Sequence, residues 1–146
     1  MPHCFGRRVA GATVLAILAC VAAASSASAQ SRCAAPEKPG WHSCLSVAHQ
    51  AIDGGPTIRV TKARPRLVYR YDRCPARDAR RTVVVSTDDG RRLGKAVVRG
   101  TCEKGIARWV AAILVDRDLH EGTVVRSRWS GVPDAGKTAP SVKLKT

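Results

Sequence analysis

Aromatic rings and acids are the scarce components of this 146-residue chain: Phe occurs once, Tyr twice and Trp three times, and 11 Asp and Glu face 25 Lys and Arg. So few rings leave little surplus for base- or sugar-stacking platforms once a core is filled. Catalytic signatures are equally thin. The chain has no G-x-S-x-G elbow, no H-E-x-x-H and no C-x-x-C pair, and no glycine-rich phosphate loop is assigned. These gaps set aside the serine hydrolase, zinc protease, nucleotide-binding and zinc-finger readings, and no cofactor or metal is expected.

Long apolar runs are limited to one, Val9 to Ala24, which follows Arg7 and Arg8 and precedes Ala27-Ser28-Ala29. A positive start, an apolar stretch and a small-x-small site define residues 1–29 as a cleaved export signal. The run is short for a membrane span and no positive stop follows it. A rival signal, Ile17-Leu18-Ala19-Cys20, resembles a lipobox and would leave a lipid-anchored envelope protein held through Cys20. Removing residues 1–29 takes away two arginines and no acid, so the net charge of +14 falls only to +12.

Four cysteines remain, Cys33, Cys44, Cys74 and Cys102. An even number in an exported chain of this size reads as two disulfides. Three pairings are possible, and Cys33–Cys44 with Cys74–Cys102 is preferred because each joins neighbouring segments. Metal binding is disfavoured: His42 and His49 beside Cys44 do not form a zinc-finger repeat.

Residues 30–56 hold Pro36, Pro39, Gly40, Gly54, Gly55 and Pro56 and read as a loop-rich segment with a short turn of helix at Ser43 to Ala51. Residues 57–146 change texture to short β-branched runs between turn residues, the pattern of an all-β domain. Seven strands are expected: Thr57–Lys62, Arg66–Asp72, Arg81–Thr87, Arg92–Gly100, Gly105–Asp116, Thr123–Trp129 and Ser141–Lys145. Pro65 is expected to stop the ladder between the first two. Asp88-Asp89-Gly90 marks a hairpin turn. Gly105–Asp116 also admits a helix, but strict alternation groups Ala107, Trp109, Ala111, Ile113 and Val115 and favours a strand.

The last third, from Leu119, resembles the closing strands of an immunoglobulin-like or fibronectin type III sandwich. Leu119, Gly122 and Thr123 match the corner that carries the chain between sheets in that family, whereas Val125 stands where a Tyr is usual. The resemblance implies a disulfide-stapled antiparallel β-sandwich and names no ligand.

Charge is the strongest functional hint. Arg59, Lys62, Arg64, Arg66, Arg70, Arg73, Arg77, Arg80 and Arg81 fall close together, offset only by Asp72 and Asp78. Such density attracts cell-wall polymers, glycans, acidic lipids or nucleic acid without sequence readout. Arginine's fork suits phosphate and sulfate. The expectation is a secreted, non-enzymatic binding or adhesion module with an anionic partner. Alternatives are an inhibitor or effector docking on a protein partner through the loop Ser130 to Pro140, and an enzyme using His42, His49 and Asp53. The pairs Asp88/Asp89 and Asp116/Asp118 read as turn chemistry rather than a calcium site. The intact mass of the exported chain is expected to begin at Gln30, with four alkylations that appear only after reduction; a lipid-modified start at Cys20 contradicts this.

Overall fold

The computed structural model describes residues 27–34, 40–75, 79–132 and 139–146. Residues 1–26, with Cys20 and most of the expected export signal, lie outside them, as do Arg77 and most of the loop between Ser130 and Pro140. The described residues contain no helix and ten strands: β1 Ser28–Ala34, β2 Trp41–Ala51, β3 Thr57–Arg70, β4 Arg80–Thr87, β5 Arg92–Arg99, β6 Thr101–Glu103, β7 Ile106–Val110, β8 Ile113–His120, β9 Val124–Trp129 and β10 Ser141–Lys143. They form two antiparallel sheets. One runs β1-β2-β3-β7-β6, with β8 also on β3; the other runs β10-β9-β4-β5.

Strand β3 organises the larger sheet. Along one edge it pairs with β2 from Ala51↔Ile58 to Trp41↔Tyr69, and along the other with β8 and then β7. The expected break at Pro65 does not occur, because the backbone N and carbonyl of an extended residue point to the same edge. Pro65 O accepts a bond from Ala111 N at 3.0 Å, in the gap between β7 and β8. The missing N–H of Pro65 therefore faces a place where the neighbouring ladder is already interrupted, and the pairing with β2 is unharmed.

The irregularity lies instead at Thr61. Ile58 and Val60 are buried before it, and Ala63, Pro65 and Leu67 after it. Moving the buried set from even to odd positions needs one extra residue, and the register slips between Val60 and Lys62 against β8 and at Ala48/His49 on β2.

Two further expectations are revised. Trp41–Ala51 is a long strand, not a loop with a helical turn: Leu45, Val47 and His49 alternate into the core, a period that no helix would satisfy. Gly105–Asp116 is two strands broken at Ala111-Ala112, although all five residues of its alternating set are buried as expected. The Asp88-Asp89-Gly90 hairpin is present, and both disulfides form in the preferred pairing. Cys33–Cys44 joins residues directly opposite on β1 and β2, while Cys74–Cys102 ties the β3–β4 connection to β6.

The sheets face each other across one core, with Leu45, Ile58, Leu67 and Trp109 from the larger and Val83, Val85, Val125 and Trp129 from the smaller. The chain crosses between them at Gly122, with positive φ, where Gly122 N donates to Leu144 O at 2.9 Å, and again at Gly100 between β5 and β6. Gly100 is buried against the Trp109 indole, whose Nε1 donates to Ala79 O at 2.8 Å. A Cβ at Gly100 would overlap that fixed ring. Gly100→Ala is expected to lower unfolding stability in urea by about 1–3 kcal/mol. Gly55→Ala, where the space is ordinary, should change it little.

Candidate functional site

After the Thr61 bulge, the alternation that buries one side of β3 turns Lys62, Arg64, Arg66 and Arg70 to the outer face, with Arg59 on the same face before it. Side chains two apart on a strand stand about 7 Å from one another, so these cations form a row rather than a cluster. The flank on β2 is low: Ser46 lies opposite Arg64, Ala48 opposite Lys62 and Cys44 opposite Arg66. On the other flank Val110 lies opposite Arg66, Arg108 opposite Val68 and Leu114 opposite Lys62. Val110 and Leu114 are well exposed, Leu114 at 78%. Five of the nine sequence-predicted residues are thus brought onto one face.

Arg108 joins them and was missed. Its signal was available, since in "GIARWVAAILVD" it holds the phase opposite to buried Trp109.

Among the described residues the one side-chain ion pair is Arg59 with Asp118, doubly bonded at 2.7 and 3.0 Å. The hydrogen bond from Arg59, and then its charge, hold the Asp118 carboxyl below the usual carboxylate range. Arg59 is raised in turn by the same bond and charge. The pair's stabilisation is present above the ordinary carboxylate range and is lost only as pH falls through the depressed value. Lys62, Arg64, Arg66 and Arg108 face no such acid among the described residues, and Arg66 Nη2 reaches only the sulfur of Cys44, at 3.9 Å.

The remaining predicted cations go elsewhere. Arg73 is exposed in the connection after β3, and Arg80 lies opposite Arg99 on the smaller sheet. Arg81 points inward with Val83 and Val85. Its guanidinium carbon lies 4.8 Å from the ring centroids of both Trp41 and Trp109, and Nη1 donates to Ser130 O at 2.8 Å. It is a structural residue here, holding ring faces and a turn.

The histidine constellation is not assembled. His42 and His49 are seven apart on a strand, so they take opposite faces: His42 is exposed, while His49 is buried and donates from Nε2 to Lys145 O at 3.0 Å. Asp53 sits in the exposed turn after β2 with positive φ. Asp89 accepts from the Thr87 hydroxyl and from Arg91 N, which lower its pKa in that order, so it serves the hairpin. Among the described residues one cluster has metal-ligating types together, Cys33, His42 and Cys44, but the disulfide occupies both sulfurs.

One pattern was passed over in the sequence. Residues 131–138, "GVPDAGKT", satisfy the spacing G-x-x-x-x-G-K-[ST]. A phosphate loop of that kind needs a following helix whose N-terminus meets the phosphates. Here residues 133–138 lie outside the described set, and the chain enters from β9 and continues into β10, its antiparallel neighbour, at Ser141. The context the motif requires is therefore lacking.

No protein-family profile, curated protein or solved structure matches this chain. Replacing Asp118 by Asn should release Arg59 to the outer face, and the variant is expected to elute from a polyanion resin at higher salt than the unaltered chain. Unchanged elution would mean that Arg59 lies outside the binding surface.

Proposed function

We propose that the chain is a secreted, non-enzymatic binding module of immunoglobulin-like sandwich type, which holds an anionic extracellular or envelope polymer on the outer face of its larger sheet. The observation that carries this reading is the row Lys62, Arg64, Arg66 and Arg70 on one face of β3, extended by Arg108 on β7 and facing a low flank on β2. Extended rows suit polymers better than small anions, because each repeat of the ligand finds a cation. Arginine forks add paired bonds to phosphate or sulfate oxygens.

Two disulfides fit an oxidising compartment, as the export signal implies, and no helix among the described residues is long and apolar enough to cross a membrane. The Leu119 to Thr123 corner, where the chain passes from β8 in one sheet to β9 in the other, supports the sandwich type. Trp41, Tyr69, Tyr71, Trp109 and Trp129 all pack in or against the core, which favours contact through charge over stacking.

The test is salt-dependent binding to heparin and to a phosphate-rich resin. Replacing Lys62, Arg64, Arg66 and Arg70 by Ser should reduce the slope of log affinity against log salt by roughly 3, at slightly under one counterion per lost contact. A quadruple variant that binds with the original slope would contradict the assignment.

A further inference from the structure

The smaller sheet carries a second basic surface. Its four strands contain no acidic residue. Register sets Arg80 beside Arg99, places Val84 between Arg128 and Lys95, and places Ser86 between Arg126 and Arg92. All six of these cations are exposed, whereas Val83, Val85, Val125 and Trp129 of the same strands are buried against the larger sheet. Alternation therefore delivers the six to the outer face, from the β4–β5 hairpin and from β9, which comes later in the chain. A shallow groove of about 420 Å³ runs between Arg92 on one side and Arg126 and Arg128 on the other, floored by Val84 and Ser86, with Asp88 of the hairpin turn as the acid at its end.

The chemistry of this face narrows its ligand. Five of the six cations are arginine, whose forks match phosphate oxygens. The face carries no aromatic ring, so it offers no platform for bases or sugar rings. Arg126 and Arg128 stand about 7 Å apart along β9, Arg80 and Arg99 about 5 Å apart across one strand step, and the β9 cations about 10 Å from Lys95 and Arg92 across the intervening β4, an extended array that suits a chain of phosphates better than one ion.

We propose that this face binds a linear phosphodiester polymer through its phosphates, and that a single molecule, basic on both outer faces, bridges two such polymers. The sheets lie back to back about 10 Å apart with side chains beyond on each side, so a straight polymer seated on one face leaves the other open. The bridging half rests on the larger sheet binding as proposed above; binding by the smaller sheet does not.

A short mixed-sequence DNA duplex serves as the probe. Native mass spectrometry is expected to show one protein chain carrying two duplexes, and beads bearing one duplex should capture a second, fluorescent duplex only when the protein is added. The variant Lys95→Ser, Arg126→Ser, Arg128→Ser is expected to take up one duplex and to lose the capture while still binding the beads. Ser86→Asp, which puts a carboxylate on the groove floor, should have the same effect and guards against misfolding of the triple variant, with melting temperature checked for both. If these variants still carry two duplexes, the second face is overturned; if the unaltered chain stops at one, bridging is overturned, and the second face with it when the variants still bind that one duplex. A β3-row variant that still binds one duplex supports the second face while refuting bridging by that variant, and an unaltered chain that binds none overturns both readings.

Discussion

Strand β3 is hydrogen-bonded along both edges, and that constraint fixes what each of its side chains can do. With β2 on one edge and β7 and β8 on the other, its residues have only the core or the outer surface to face. Ile58, Val60, Ala63, Pro65 and Leu67 take the core, so the intervening cations must stand outside. The Thr61 bulge is the hinge of this arrangement: without it Lys62 would be driven inward and Ala63 and Leu67 outward, burying charge and exposing apolar surface. Stability and the cationic row thus share one cause, and a register error would destroy both.

Scarcity of rings shapes the rest of the core. Trp41 and Tyr69 meet at 4.2 Å between centroids, Tyr69 and Tyr71 meet edge to face, and Trp109 anchors the crossing at Gly100. Arg81 spans the end of this group, covering two indoles with its guanidinium and satisfying the carbonyl of Ser130. A charge placed there is worth more than one on the open surface because water is partly excluded from it. The same charge is withdrawn from any ligand, so local density of arginine overstates the surface by one residue in this strand.

Much of the fold was legible because alternation is written plainly in the short strands. Val125 and Trp129 inward with Arg126 and Arg128 outward, Val142 and Leu144 opposed to Lys143, and the five-residue buried set around Trp109 all follow from period two. What misled was punctuation. Pro65 marks a strand end in most contexts, and only the gap between β7 and β8, a tertiary fact, makes it harmless. The glycines and prolines flanking residues 41–51 obscured a strand whose Leu45, Val47 and His49 already alternate. The proposed binding surface was half legible for a different reason. Charges dense in sequence were found, whereas Arg108, Arg92 and Arg126 are dense only after strand pairing brings distant segments together.

Both outer faces are basic, and among the described residues Asp53, Asp72, Asp88, Asp89 and Glu121 sit at turns and bends, Glu103 in β6 and Asp116 and Asp118 in β8, with Asp118 paired to Arg59. Arginine footprinting reports whether a polyanion lies along the outer face of β3: modification with phenylglyoxal, with and without heparin, is read residue by residue by mass spectrometry. Heparin is expected to protect Arg64, Arg66 and Arg108, while Arg81 stays weakly reactive in both states. Equal modification of Arg64, Arg66 and Arg108 with saturating heparin present would contradict it.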